Sequence, residues 1–195
     1  QKYFNNVKKL LNRHNIKMHL DGARIFNAAT ALKVSVAKLA EDADSISCCL
    51  SKGLAAPVGS LVLGNKNFIA KAKKIRKALG GGMRQAGLLA AAGTFSLKNM
   101  INRLEEDHVN ARELAKKLSE IDNISLDINK VYTNIIFLNL EHARLSNKRF
   151  LLELNKNNIK IDYKGNRKFR LVTHCDFKKS EIDTIVSSIA NIIKE

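Results

Sequence analysis

The feature that most constrains the fold is the alternation of short apolar runs with helical patterns in the first third of the chain. The runs at 16–20, 45–50 and 60–63 predict strands, and the periodic segment at 25–32 predicts a helix between the first two. A strand, a helix and a second strand in this order are typical of βαβ units, whose sheet carries helices on both faces. The first part of the chain is therefore predicted to be α/β.

The pattern changes after the stretch AAAGTFSL, which ends near residue 97. A long charged amphipathic helix is predicted at 99–121. It is followed by strands in YTNIIFLNL and KFRLVT, with a helix in SNKRFLLELNKNN between them, and by a final helix at 178–194. We place a domain boundary near Asn99, with an α/β unit at 1–98 and a smaller α+β unit at 99–195.

The net charge of +16, from 34 basic and 18 acidic residues, raises the question of a nucleic-acid partner. The densest basic cluster, KNFIAKAKKIRKAL at 66–79, has apolar residues on one helical face and lysines on the other. It has almost none of the interleaved aromatic residues on which single-strand binders stack bases. We therefore expect a solvated surface helix and no nucleic-acid partner.

Membrane insertion and secretion are not expected either. No apolar run approaches the ~20 residues that span a bilayer, and no signal-like segment opens the chain. Of the three cysteines, Cys48 and Cys49 are neighbours on a predicted strand and point to opposite faces, which makes a poor disulfide framework. A reducing, cytoplasmic setting is the expectation.

Two polar residues stand where predicted strands end. Asp21 closes the strand in MHLDGAR, and Lys52 follows the apolar run in SISCCLSKGLAAPVGS. Each has an ordinary explanation, since Asp-Gly is common turn chemistry and a strand-end lysine is commonly solvated. Together they match pyridoxal phosphate, which a lysine holds as a Schiff base while a carboxylate keeps the pyridine nitrogen protonated. Such a lysine needs a dry site, which a strand end inside a sheet is predicted to provide.

The segments HLDGARIFNAATAL, CLSKGLAAPVGSLVLG, KALGGGMRQAGLLAAAG and RLVTHCDF strongly resemble successive blocks of the low-specificity threonine aldolases. These enzymes belong to the aspartate-aminotransferase-like family of pyridoxal phosphate enzymes, and the likeness covers almost the whole chain. The resemblance implies the later part of the large cofactor-binding domain followed by the small C-terminal domain.

The resemblance also implies roles for individual residues. Lys52 resembles the Schiff-base lysine, and Asp21 resembles the acid that pairs with the pyridine nitrogen. Arg24 resembles an arginine near the cofactor and the substrate carboxylate, although a helix-start arginine can equally pair with a surface acid. Arg170 resembles the arginine that grips the α-carboxylate of the substrate, and a charge within its apolar strand needs a partner in any case. Arg84 resembles a residue close to the active site. No metal ligand is predicted.

The remaining motifs have weaker implications. The run Gly80 to Gly82 could cradle a phosphate, but we favour a hinge or close-packing turn. Ala55 stands where the family usually has glycine. His19 is predicted either to contact Asp21 or to be a satisfied core residue. His174 is predicted to be structural, and surface positions are predicted for the histidines at 14, 108 and 142.

None of these histidines resembles the family's ring-stacking histidine, which lies with the glycine-rich phosphate loop in the N-terminal part of the large domain. The chain opens with Gln1 in a helical pattern, QKYFNNVKKLLNRHN, so we expect a piece of a longer protein that is inactive by itself.

The activity implied by the resemblance is retro-aldol cleavage of threonine or allo-threonine to glycine and an aldehyde. A small amino-acid substrate and a homodimer or homotetramer are implied with it. Two alternatives stay open: a β-eliminating lyase or amino-acid racemase on the same fold, and an inactive interaction module that acts as a dimer-forming remnant or a basic nucleic-acid binder.

Overall fold

A parallel pair of strands forms the start of the first sheet. The structure is a computed structural model that describes residues 2–194. The helix α1 (Lys2–Arg13) leads into β1 (His19–Asp21), and α2 (Ile25–Leu32) and α3 (Val36–Ala40) connect β1 to β2 (Ser45–Cys49). β1 and β2 pair in parallel register. The predicted βαβ unit is confirmed, and the helix predicted at 25–32 has the bounds of α2.

The third strand of this sheet, β3 (Ser60–Gly64), runs antiparallel to β2 and lies at the edge. All five of its residues are exposed. The helix α4 (Lys66–Ala78) follows β3 directly and its Phe68 ring lies against Gly64. The expectation of a sheet covered on both faces is therefore wrong for β3 within residues 2–194, because its apolar residues Leu61, Val62 and Leu63 are 39–49% exposed.

The helix predicted at 99–121 is shorter in the structure, α6 (Leu104–Leu118), and a further helix that was not predicted, α5 (Gly87–Asn99), precedes it. The chain turns between them because the residues at the turn pack into the core of the first unit. That core consists of Leu50, Leu54, Ala56 and Leu104, with Phe26, Leu97, Met100 and Ile101 packed against it. The prediction missed α5 because its small and apolar residues occur on all sides of the helix and leave no amphipathic pattern.

The second sheet is antiparallel, with its strands in the order β4 (Ile124–Ser125), β5 (Ile135–Leu140), β7 (Lys168–Val172) and β6 (Asp162–Tyr163). Along β5 the side chains at 136, 138 and 140 are buried and those at 137 and 139 are exposed. Residues of α6, of α7 (Asn147–Lys156) and of α8 (Ile182–Lys194) join these inward side chains in one core. Strands on one side and helices on the other make this unit α+β, as predicted.

The chain divides into two compact units, Gln1–Leu104 and Glu105–Glu195. The division falls a few residues after the proposed boundary at Asn99, because Met100, Ile101 and Leu104 pack with the first core. None of the helices within residues 2–194 combines the length and the apolar character that crossing a bilayer requires.

Candidate active site

Asp21 is the last residue of β1 and lies opposite Ser47 of β2. Its side chain is exposed, and its Oδ1 accepts a hydrogen bond from the backbone N–H of Ala23 at 3.1 Å. The next residue, Gly22, is buried, and a Cβ there would lie 3.0 Å from the carbonyl oxygen of Ser47. The chain thus leaves the strand in close contact with β2, and this contact places the Asp21 carboxylate at the carboxyl edge of the sheet.

Lys52 follows β2 in the loop that leads to β3. Its carbonyl oxygen accepts a hydrogen bond from the N–H of Ala55 at 2.9 Å, and the Ala56 N–H donates to Leu50 at 3.0 Å. The strand ends at Cys49, before Lys52, and the lysine side chain is exposed. The expectation that Lys52 lies in a dry site at a strand end is therefore wrong within residues 2–194. The parallel strands β1 and β2 nevertheless bring Asp21 and the start of the Lys52 loop to the same edge of the sheet.

The loop that carries Lys52 is closely packed on either side of its turn. Leu54 is only 2% exposed. A Cβ at Gly53 would lie 2.8 Å from the side-chain oxygen of Asn27 in α2 and 2.9 Å from Leu104. The residues directly after Lys52 therefore pack closely against the first core, while Lys52 itself is exposed.

Ala55 in the same loop has a φ of +55°. This is the left-handed region, which glycine enters at no steric cost and which alanine enters only with strain. The glycine that the resemblance implies at this position would adopt this turn without strain.

The remaining candidates in the first unit lie near helix ends. Arg24 immediately precedes α2 as its N-cap residue, and it is half-buried. Arg84 is exposed in the turn before α5. Gly80 has a φ of +78° and donates its N–H to Lys77, and the Gly81 N–H donates to Arg76 at 2.8 Å. These N–H groups close the end of α4, so the run Gly80 to Gly82 forms a helix terminus, which supports the turn interpretation over a phosphate cradle.

Arg170 belongs to the second unit. It lies on β7 between Phe137 of β5 and Asp162 of β6, on the sheet face opposite the core. Its Nη2 donates to Asp162 Oδ2 at 2.7 Å, and its Nε is buried with no hydrogen-bond partner within residues 2–194. Asp162 Oδ2 also pairs with Lys164 Nζ at 2.5 Å. The partner that the sequence requires for Arg170 is thus an acid of the neighbouring strand.

Lys164 and Arg170 change the pKa of the Asp162 carboxyl. The hydrogen bond from Lys164, together with the positive charges of Lys164 and Arg170, lowers the pKa of the Asp162 carboxyl below its ordinary value. The lowered pKa favours the charged carboxylate form of Asp162.

His14 is exposed as predicted, whereas the environments of His19, His108 and His142 differ from those predicted. His19 Nδ1 lies 2.8 Å from Ser45 Oγ, and its side chain is exposed, so it contacts Ser45 and is not a core residue. His108 is completely buried, so the predicted surface position is wrong. Burial lowers the pKa of His108, which favours the neutral ring. His142 is half-buried, and its Nδ1 accepts a hydrogen bond from the Leu145 N–H at 2.9 Å.

The structure also shows two features that the sequence analysis did not predict. His174, Cys175 and Asp176 place their donor atoms within 4.8 Å of one another, a spacing compatible with a bound cation. A cavity of about 450 Å³ lies in the second unit, between the end of α7, β7 and the start of α8. Three consecutive donor residues are visible in the sequence, whereas the cavity depends on tertiary packing that no local pattern records.

Comparison with known proteins gives consistent results. Residues 1–143 match the family model described as beta-eliminating lyase. The chain is 41% identical over 186 residues to the low-specificity L-threonine aldolase 1 of Arabidopsis thaliana, covering 95% of this chain and 52% of the relative. It is 38% identical over 188 residues to the low specificity L-threonine aldolase of Escherichia coli strain K12, covering 96% of this chain and 54% of the relative.

Among solved structures, the fold is similar to that of a putative L-allo-threonine aldolase from Listeria monocytogenes EGD-E. The TM-score is 0.80 at 16% sequence identity, over 97% of this chain and 55% of the other. The predicted fold class is confirmed by this likeness. The chain spans about half the length of the curated relatives it matches.

Proposed function

Because the chain belongs to the beta-eliminating lyase family, we propose that the whole protein is a pyridoxal phosphate-dependent aldehyde-lyase that cleaves threonine and allo-threonine to glycine and acetaldehyde. The observation that carries this proposal is the convergence of Asp21 and the Lys52 loop on one edge of a parallel strand pair. They do so in a chain with about 40% identity to threonine aldolases. The substrate class and the cofactor both belong to the proposal.

The residues at this edge fit the cofactor. Lys52 offers an exposed amine on a closely packed loop, and Asp21 offers an exposed carboxylate with one oxygen bonded to Ala23. A carboxylate has further acceptor positions, so Asp21 remains able to accept a pyridinium N–H. When bound, pyridoxal phosphate supplies an electron sink for the electron pair of the bond that breaks in the substrate.

Each residue then has a defined task. Lys52 provides the amine that holds the cofactor, and Asp21 keeps a proton on the ring nitrogen by charge and hydrogen bonding. On the resemblance of its segment, we assign the planar guanidinium of Arg170 to the α-carboxylate of the amino acid, and this contact would orient the bond between Cα and Cβ. We assign Arg24 to the cofactor and substrate carboxylate and Arg84 to the rim of the same site, on the resemblance of their segments.

The experiment that tests this proposal is an assay of the purified whole protein with pyridoxal phosphate and threonine. Glycine and acetaldehyde formed in equal amounts are expected, and a Lys52→Ala variant should form neither. The description of the matching family favours a second candidate, a β-eliminating lyase. Such an enzyme would form ammonia and a 2-oxo acid in the same assay. A racemase would change the configuration at Cα without cleavage, and an inactive interaction module would bind no cofactor.

We further propose that the 195-residue chain is inactive by itself and that the whole protein is a homodimer or homotetramer. Supporting both, β3 exposes apolar side chains, and residues of α4 and of the segment after it are also exposed: Leu61, Val62, Leu63, Ile75, Leu79 and Met83. Exposed apolar strand edges favour association. A cytoplasmic location is proposed as well, since Cys48, Cys49 and Cys175 are free thiols.

A further inference from the structure

Three charged side chains form a cluster on the open face of the second sheet. Asp162 Oδ2 lies 2.7 Å from Arg170 Nη2 and 2.5 Å from Lys164 Nζ. We call Asp162, Lys164 and Arg170 the Asp162 cluster. It contains one carboxylate and two cations, so a positive charge is left over after the acid is paired.

The backbone holds this cluster in place. Asp162 and Arg170 are direct partners in the antiparallel register of β6 and β7. The turn that joins these strands is closed by hydrogen bonds from the Lys164 N–H to Lys168 at 2.8 Å and from the Lys168 N–H to Gly165 at 2.9 Å. Directly opposed residues of an antiparallel pair have Cβ atoms ~5 Å apart, so the pairing of Asp162 with Arg170 follows from strand register.

The cluster is accessible to a second anion. The side chains of Asp162, Lys164 and Arg170 are 45%, 37% and 31% exposed. An ion pair with this much solvent contact is weak, and another carboxylate can displace it. Lys164 would keep the Asp162 carboxylate paired after such a displacement, so the exchange leaves no bare charge.

We propose that Asp162 is a resident carboxylate that occupies Arg170 when no substrate is bound, and that it thereby sets the affinity of the site for the carboxylate of an amino-acid substrate. Lys164 receives Asp162 when the substrate takes its place. This inference rests on the proposed function, because it takes Arg170 to be the group that binds the α-carboxylate.

The charges of the cluster predict opposite effects for two substitutions. Asp162→Asn removes the competing negative charge and keeps a hydrogen-bond acceptor for Arg170. Lys164→Gln leaves Asp162 with Arg170 as its only partner in the cluster, so a substrate must compete with a more firmly held acid. The first change should strengthen carboxylate binding and the second should weaken it.

The test is steady-state kinetics of threonine cleavage by the whole protein. Exposed pairs are weak, so we expect KM to fall about two- to fivefold in Asp162→Asn and to rise by a similar factor in Lys164→Gln, with smaller changes in kcat. Asp127→Asn is the matched control, since Asp127 pairs with Lys130 at 3.2 Å in the same unit and outside the cluster. An unchanged or raised KM in Asp162→Asn, or a fall in kcat larger than the change in KM, would overturn the proposal.

A binding measurement separates this inference from the proposed function. Acetate is titrated at constant ionic strength into the whole protein labelled with ¹⁵N-arginine, and the Nε signal of Arg170 is identified by its loss in Arg170→Lys. Half-saturation at two- to fivefold lower acetate in Asp162→Asn is expected, with no change in Asp127→Asn. If threonine is not cleaved but this shift is seen, only the proposed function fails. If acetate affinity is the same in all variants, Asp162 does not compete for Arg170.

Discussion

Gly22 donates its backbone N–H to the carbonyl oxygen of Ser47 at 2.7 Å, so the pairing of β1 with β2 continues one residue beyond Asp21. This bond keeps the exit of β1 against the strand that leads to Lys52. The positions of the two central candidates therefore depend on the backbone of one parallel pair and not on flexible loops alone.

The first prediction is that Gly22→Ala disturbs this pairing. The added Cβ would lie 3.0 Å from the Ser47 carbonyl oxygen, 3.2 Å from Ile46 Cγ2 and 3.3 Å from Ile25 Cβ. Overpacking of this kind costs about 1–3 kcal/mol, so a lower Tm and slower threonine cleavage by the whole protein are expected. Gly87→Ala is the control, because a Cβ there meets nothing within 4 Å. Equal behaviour of the two variants would contradict the account.

The second prediction is that Asp21→Asn retains measurable cofactor binding and loses most of its turnover. A neutral amide cannot keep the ring nitrogen protonated while negative charge develops in the substrate. One well-placed electrostatic group is commonly worth roughly two to three decades in rate. The measurement is kcat of the folded whole-protein variant, with cofactor absorption recorded on the same sample. Near-normal turnover would mean that Asp21 serves only to accept the hydrogen bond from Ala23.

The sequence predicts a helix correctly where its apolar residues recur with a helical period, and it misses a helix where they do not. α2 was predicted with its observed bounds because its apolar residues follow one helical period. α5 has no such period, and the turn between Asn99 and Leu104 lies within a continuous charged pattern, so both were missed. Local periodicity cannot report a break that is caused by packing of Ile101 and Leu104 on a distant loop.

The candidate site shows the same limit. The strand ending at Asp21 was predictable from MHLDG, because a turn dipeptide follows an apolar run. The pairing of Arg170 with Asp162 was not, since it requires the register of two strands. His108 was assigned to the surface because acidic residues surround it in sequence, whereas the helix α6 turns that residue inward.

A third prediction concerns the left-handed Ala55. A non-glycine residue at a φ of +55° carries strain, and conformations of this kind cost on the order of 1–3 kcal/mol. Ala55→Gly relieves that strain and loses about 0.4–1 kcal/mol through the greater freedom of the unfolded chain. The difference between these figures is a net gain in the free energy of unfolding of about 0–2.6 kcal/mol, measured by urea denaturation.

The matched control for this change is Ala70→Gly in the exposed part of α4, which should lose about 1 kcal/mol because glycine is unfavourable inside a helix. A comparable loss in Ala55→Gly would show that the loop is not strained.

The fourth prediction is a pH dependence of stability through His108. Burial lowers the pKa of His108 in the folded protein. The negative charges of Glu105 and Asp107 act in the opposite direction and raise it, and the positive charge of Arg112 lowers it slightly further. The unfolded chain therefore binds a proton near the ordinary pKa of about 6.5 while the folded chain does not. The stability that neutral His108 contributes is therefore complete above this pH. As the pH falls below it, the free energy of unfolding decreases by up to about 1.4 kcal/mol per pH unit.

The measurement is the Tm between pH 8 and pH 5 for the wild type, His108→Gln and His14→Gln, the last being an exposed histidine. The wild type and His14→Gln should lose stability with acidification over this range, and His108→Gln should lose less. Parallel curves for all three would show that His108 does not titrate on unfolding.

The most direct test of the central claim is to identify the lysine that holds the cofactor. The whole protein is loaded with pyridoxal phosphate, reduced with borohydride to make the link to the lysine permanent, digested and mapped by mass spectrometry. The exposed amine of Lys52 on its closely packed loop predicts the label on the peptide that contains Lys52, and no label at that peptide in Lys52→Ala. A label confined to any other lysine of the protein would contradict the account.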